Sequence, residues 1–214
     1  LVACGTAYHA CMISKYWFEE ISKINTSVEI ASEFRYKNNF LNEKTLGISV
    51  SQSGETMDTL KSLKKMKEEG INTASIVNVL GSSIARESEY ILPTLAGPEI
   101  GVASTKTFTA QLTVLALLSI YISEKQGIYN KEVKALINEL FLLSKNIQTI
   151  LKDKKIYKDI ANILIKAKSI FYIGRGTMYP LALEGALKLK EITYKHCEGF
   201  AAGELKYLQY LYKF

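Results

Sequence analysis

Short apolar runs alternate with helical segments through the first half of the chain, and this alternation restricts the fold more than any other feature. Residues 1–4, 28–31, 45–50, 74–79 and 90–92 read as strands. Between the first two, Met12, Ile13, Tyr16, Trp17 and Ile21 recur at helical spacing, with Ser14, Lys15, Glu19 and Lys23 on the polar face. A further helix runs to Glu69 and stops at Gly70, a C-cap residue. The β-branched run 74–79 reads as a buried parallel strand. Long helices are expected at 105–125, 131–151 and 156–167, then a strand at 169–173 and a helix from about Tyr179. Strand–loop–helix alternation predicts an α/β fold, an open parallel sheet with helices on both faces. Ligands of such sheets sit at the carboxyl ends of the strands. The loops to inspect are 4–8, 51–56, 80–83, 98–106 and 174–179.

Composition narrows the class. At 214 residues and 48% hydrophobic, the chain has room for one domain and a fraction, and it is not disordered. No stretch reads as the roughly 20 apolar residues of a membrane span. The run 114–122 is short and stands beside Gln111 and Thr113, so a buried helix is expected there. No basic leader precedes Gly5, and the start at Leu1 reads as part of something longer. The net charge of +6 comes almost entirely from scattered Lys; the only Arg residues are Arg35, Arg86 and Arg175. That pattern does not predict a nucleic-acid partner, which would gather the charge on one surface. The dense run 152–158, edged by Asp153 and Asp159, reads as a solvated helix start. Cys4, Cys11 and Cys197 cannot all pair, no CxxC is present, and His9 and His196 lack metal-ligand spacing. Buried thiols in a reducing, cytoplasmic compartment are expected, with no metal or cofactor.

The chain also repeats. Gly5-Thr6-Ala7-Tyr8 recurs 171 residues later as Gly176-Thr177-Met178-Tyr179. At the same spacing Glu20-Ile21 becomes Glu191-Ile192, and Glu33-Phe34-Arg35-Tyr36 becomes Glu204-Leu205-Lys206-Tyr207. Two tandem copies of one α/β domain are expected, the second cut short: a first domain at 1–128, a helical connection at 129–167 and the start of a second domain at 168–214.

Ser51-Gln52-Ser53-Gly54-Glu55-Thr56 follows a strand and opens a helix. Helix N-termini offer unpaired N–H groups and the positive end of a dipole, and glycine lets the backbone come close to a ligand. Plain N-capping by Ser53 needs only one hydroxyl. Three hydroxyls and an amide point instead to phosphate. There is no GK[ST] and no GxGxxG, so a nucleotide is not favoured. In Glu99-Ile100-Gly101-Val102-Ala103-Ser104-Thr105-Lys106, Ser104 or Thr105 can cap a helix, and Lys106 in a first turn suggests a nearby anion.

Glu184, Lys188 and Glu191 fall on one helix face. A surface ion pair explains Glu184 and Lys188. Proton transfer beside a carbonyl, with Glu191 as base and Lys188 stabilising negative charge, explains all three. Spacing does not choose between these readings.

Taken together, Ala3-Cys4-Gly5-Thr6, the 51–56 loop, the 99–106 loop and Ala182-Leu183-Glu184-Gly185-Ala186-Leu187-Lys188-Leu189-Lys190-Glu191-Ile192 resemble the glutamine–fructose-6-phosphate aminotransferase (isomerizing) family, also called glucosamine-6-phosphate synthase. The resemblance implies SIS domains, three-layer sandwiches with a parallel flavodoxin-like sheet. It implies conversion of fructose 6-phosphate and glutamine-derived ammonia to glucosamine 6-phosphate, without a cofactor, in a homodimer carrying a glutaminase domain. Thr6, Ser51, Gln52, Ser53 and Thr56 would hold the phosphate. Val102, Ala103 and Ser104 would line the sugar. Glu191 would move a proton between C1 and C2, with Lys188 and Glu184 beside it. The family has Ser where Ala7 stands and a ring-opening His where Tyr207 stands. Weak sugar-phosphate binding and little turnover are therefore expected of this chain alone. Another SIS-type isomerase or deaminase, or a sugar-phosphate sensor without catalysis, are the alternatives.

Overall fold

The structure, a computed structural model, describes residues 1–38, 44–101 and 103–208. It divides into two compact units, Leu1–Ser119 and Ile120–Phe214.

The first unit opens with β1 (Val2–Ala3), α1 (Gly5–Glu20), β2 (Glu29–Ile30) and α2 (Ala31–Phe34). It continues with β3 (Leu46–Ser51), α3 (Met57–Glu68), β4 (Asn72–Val77), α4 (Ser83–Glu87) and β5 (Tyr90–Pro93). The strands form one parallel sheet in the order β2-β1-β3-β4-β5. This is the flavodoxin-like order, as expected. The chain places β2 on one side of β1 and then crosses back to add β3, β4 and β5 on the other. Right-handed crossovers put α1 on one face and α2, α3 and α4 on the opposite one. The latter face encloses a core that includes Val2, Phe34, Leu63, Met66, Val77 and Ile84.

The two faces of the sheet differ in kind. In register, Ser49 pairs with Ser75 and Gly47 with Thr73, on the same face as core residue Val77. These small side chains let α3 lie close. The other face carries Ile48, Val50, Ala74 and Ile76, all buried. Leu63, fully buried on α3, is the anchor of the first face; Leu63→Ala costs about 2–5 kcal/mol by the usual transfer and cavity terms.

From β5 the chain passes to α5 (Lys106–Lys125), which crosses the division between the units. α5 corrects one sequence expectation. Among the described residues it alone is long and apolar enough to cross a membrane by length and composition, with a mean hydropathy of 1.3 over its best window. The run 114–122 had understated it. Its inward stripe nevertheless has the composition of a core helix: Thr107, Gln111, Leu115 and Ser119 recur every fourth residue and are buried. Ser22, at the end of α1, donates its hydroxyl to the Ser119 carbonyl at 2.8 Å.

The second unit contains α6 (Lys131–Ile150), α7 (Lys154–Lys166), β6 (Ser169–Gly174), α8 (Met178–Thr193), β7 (His196–Ala201) and the single turn α9 (Leu205–Leu208). Asn130 and Asp153 cap α6 and α7 by accepting the N–H groups of Val133 and Ile156. β6 and β7 pair in parallel, and Ile170, Ala186 and Cys197 pack between strands and α8. β7 has no counterpart in the sequence-based reading, because Glu198 and Gly199 interrupt any strand pattern. Gly199 is there for packing: a Cβ on it would stand 2.8 Å from the Leu183 backbone of α8. The contact that makes the strand also erases its sequence signal.

The repeat is visible in both units. Gly5 and Gly176 have left-handed φ values of +54° and +57°. Each lies at the start of a 16-residue helix, α1 or α8, that leads into a parallel strand. Cys11, its thiol pushed up to about 12 by burial, and Cys197 are buried as expected, whereas Cys4 is only half-buried.

Candidate functional site

β1 and β3 are neighbours whose following helices leave on opposite faces, so their carboxyl ends form the topological switch point of the sheet. The loops that leave there are 4–7 and 51–56. A cavity of about 180 Å³ opens between them, lined by Cys4, Thr6, Ala7, Val50, Ser51, Gln52, Ser53, Thr56, Ser104 and Gln111. The structure thus brings together six of the sequence-predicted binding residues: Thr6, Ser51, Gln52, Ser53, Thr56 and Ser104. Ala103 is described but does not line the cavity, and Val102 lies outside the described residues.

No charged side chain lines this cavity, so any anion it takes must be held by dipoles. Two helix N-termini supply them. α1 begins after Cys4 and α3 after Thr56, and neither has a side-chain cap. By contrast α4, α6 and α7 are capped by Ser82, Asn130 and Asp153. An N-terminus without a side-chain cap carries the positive end of its helix dipole, about half a positive charge. Ser53 does not cap α3, contrary to the simpler of the two sequence readings. Its hydroxyl instead accepts the Glu55 N–H at 3.1 Å.

The loop is held in shape from inside. Ser51 Oγ accepts the Gly54 N–H at 3.1 Å and is 3.0 Å from Thr56 Oγ1. Gly54 has φ +66°, and a Cβ on it would fall 1.9 Å from Ser82 Oγ. Its carbonyl accepts the Ile84 N–H at 2.9 Å. Glu55 accepts the Ser83 N–H at 2.8 Å, and its hydrogen bonds to Ser83 hold its carboxyl below the ordinary range. The loop is therefore fastened to the start of α4 on one side while its hydroxyls border the cavity on the other.

Ser104 is positioned by a carboxylate that sequence reasoning had left without a role. Glu99 accepts the Thr105 N–H at 2.9 Å, the Thr107 hydroxyl at 2.6 Å and the Ser104 hydroxyl at 3.2 Å. Burial opposes its ionisation, but the hydrogen bonds from Thr107, Thr105 and Ser104 outweigh it and lower the pKa. Glu99 thus puts a carboxylate at the start of α5, while the Lys106 ammonium donates to the Pro98 carbonyl.

On α8, within the second unit, Lys188 Nζ stands 2.6 Å from Glu191 Oε2 and 3.6 Å from Glu184 Oε1. Glu184 is nearly buried, with its side chain 5% exposed, against 32% for Glu191. The three predicted catalytic residues form one ion triad with the ammonium in the middle. Glu184 and Lys188 pair and the Glu191 carboxylate is accessible, a geometry that does not choose between the two readings of the spacing. Tyr207, in α9, is exposed and stacks against the Lys206 ammonium. Among the described residues no cluster of three potential metal ligands occurs.

A family model for the SIS domain matches residues 1–121 and 163–211. The chain belongs to the SIS domain family. The SIS fold accounts for the parallel sheet and for the hydroxyl-rich loop at its switch point. Glutamine–fructose-6-phosphate aminotransferase (isomerizing) of Brucella abortus is 50% identical over 208 residues, which is 97% of this chain and 34% of that protein. The enzyme of that name from Bradyrhizobium diazoefficiens is 51% identical over 212 residues, again 97% and 34%. Among solved structures, the C-terminal domain of glucosamine-fructose-6-phosphate aminotransferase from Francisella tularensis is 43% identical, with a TM-score of 0.94, covering 97% of this chain and 59% of that one. This SIS chain spans about a third of the length of the curated relatives it matches.

Four residues that line the SIS cavity were not assigned to it from sequence: Cys4, Ala7, Val50 and Gln111. Cys4, Ala7 and Val50 carry no hydroxyl or amide side chain. Gln111 had a signal available, as the lone amide on the inward stripe of a long helix.

Proposed function

We propose that this chain is the isomerase region of a glucosamine-6-phosphate synthase. Fructose 6-phosphate and ammonia would give glucosamine 6-phosphate and water. The observation that carries the reading is the uncharged, hydroxyl-lined cavity at the β1–β3 switch point, between two uncapped helix N-termini. Half identity to curated aminotransferases over nearly the whole chain supports it.

In this reading Thr6, Ser51, Gln52, Ser53 and Thr56 hold the phosphate, and Ser104 lines the sugar. The reaction at carbon moves one proton from C1 to C2 once nitrogen has replaced oxygen at C2. Glu191 carries that proton. Lys188 stabilises the charge that develops on the enolamine side, and Glu184 holds Lys188 in place. Ammonia comes from a glutaminase region like that implied by the relatives' names. Residues 1–128 act as the first sugar-phosphate domain, 129–167 as a connection and 168–214 as part of a second. A homodimer and a cytoplasmic setting belong to the same proposal, on the resemblance alone.

Calorimetric titration with fructose 6-phosphate tests the binding half. Wild type is expected to bind, and Ser51→Ala together with Ser53→Ala should weaken it at least tenfold, since each lost hydrogen bond to a charged group is worth about 1.5–3 kcal/mol. Glu191→Gln should leave this binding intact. Absence of phosphate-dependent binding by wild type would refute the proposal.

A further inference from the structure

Gln111 brings to the cavity a buried polar atom that no hydrogen bond among the described residues satisfies. It is 2% exposed, it lines the cavity, and its Oε1 is buried without a partner. Every hydroxyl of the 51–56 loop is by contrast engaged within the loop, as is that of Ser104 with Glu99 and Thr107. A buried amide oxygen left without a partner is costly unless something else satisfies it. Gln111 sits on α5 one turn beyond Thr107, on the same inward stripe as Ser119, so it is held inside the unit by the helix. The phosphate-type donors, the hydroxyls of 51–56 and the N-termini of α1 and α3, belong to other elements.

We infer that the Gln111 carboxamide hydrogen-bonds a hydroxyl on the carbon skeleton of the ligand, and so selects a polyhydroxylated phosphate over an alkyl phosphate or free phosphate. This inference rests on the sugar-phosphate reading of the same cavity. A hydroxyl both donates and accepts, so it can satisfy the oxygen or the nitrogen of the amide. An alkyl chain in its place would leave the amide buried and unpaired. Sites built around such a group reject analogues that lack the hydroxyl far more strongly than apolar pockets reject an altered methylene.

The test compares fructose 6-phosphate, hexyl phosphate and inorganic phosphate by calorimetry, on wild type and on Gln111→Met, which keeps the length of the side chain without its amide. Wild type should prefer fructose 6-phosphate to hexyl phosphate by about tenfold or more, the penalty of one buried unpaired group. In Gln111→Met that preference should fall to about threefold or less while inorganic phosphate affinity stays within about twofold, since the loop donors are untouched. The wild-type comparison needs no variant, so a Gln111→Met protein that fails to fold does not remove the test. Equal wild-type affinity for fructose 6-phosphate and hexyl phosphate overturns the role of Gln111 and leaves the phosphate site standing. So does a Gln111→Met protein that keeps the full preference. Wild type that binds none of the three overturns the cavity reading and this inference together.

Discussion

Gly54→Ala is the perturbation whose cost can be built from the structure in parts. The backbone at Gly54 has φ +66°, a region that costs an L-residue roughly 1–2 kcal/mol. The new Cβ would also stand 1.9 Å from Ser82 Oγ and 2.4 Å from Ser82 Cβ. Ser82 must therefore move. It is 1% exposed and caps α4 by accepting the Ala85 N–H, so displacing it forfeits about 1 kcal/mol of capping. The sum is about 2–3 kcal/mol, a sizeable share of the 5–15 kcal/mol that holds a typical domain together. Gly70→Ala is the control. Gly70 has φ +74°, but nothing lies within 4 Å of the added Cβ, so only the backbone cost of about 1–2 kcal/mol applies. Urea unfolding monitored by circular dichroism reads both. Ser82→Gly added to Gly54→Ala should recover about 1 kcal/mol, because glycine removes the obstructing atoms and is itself a tolerable N-cap. Equal losses for Gly54→Ala and Gly70→Ala, or no recovery in the double variant, would show that the loop is not wedged against α4 and that the reasoning fails.

Three further outcomes are expected. Ala7→Ser places a hydroxyl in the cavity at the first turn of α1 and should tighten phosphate binding about tenfold, from one added hydrogen bond to a charged group; unchanged affinity by calorimetry would separate the anion from α1. Lys188→Met removes the ammonium beside the nearly buried Glu184 and should cost about 3 kcal/mol in urea unfolding, mostly recovered by adding Glu184→Met. Glu99 is held below the ordinary carboxylate range in the fold, so its stabilisation is present above the unfolded carboxyl pKa of about 4.3 and is lost as pH falls through the lowered folded value. Glu99→Gln should therefore flatten the acid limb of a stability–pH curve; an unaltered limb in thermal melts from pH 7 to 3 would remove Glu99 as the brace of Ser104.

Most of the first unit was legible in the sequence because its elements are of the kinds that announce themselves. β3 and β4 are near-continuous apolar or small-residue runs, α3 is amphipathic and closes on Gly70, and the loop 51–56 sits where a strand hands over to a helix. These local patterns lead to strand–helix alternation, to a parallel sheet and to the loops at the strand ends without reference to any distant residue. The 171-residue repeat was equally local: the same glycine-led turn written twice, with the same left-handed backbone.

What local pattern could not decide was everything set by which elements meet. β7 is a strand because α8 crosses it at Gly199, and nothing within 196–201 says so. α5 has the length and hydropathy of a membrane span, yet its buried stripe is partly polar. Glu99, quoted in a loop motif, acquires its role only when three donors gather on it. The sequence determined the type of most of the longer elements and the chemistry of the hydroxyl-rich loop, because both depend on neighbours along the chain. Only the tertiary structure decided that this loop faces Thr6 and Ser104 across one cavity, and that Gln111 is buried there without a partner. Those facts depend on the order in which five strands pair, which is settled by the energy of packing helices on the sheet and not by any single segment.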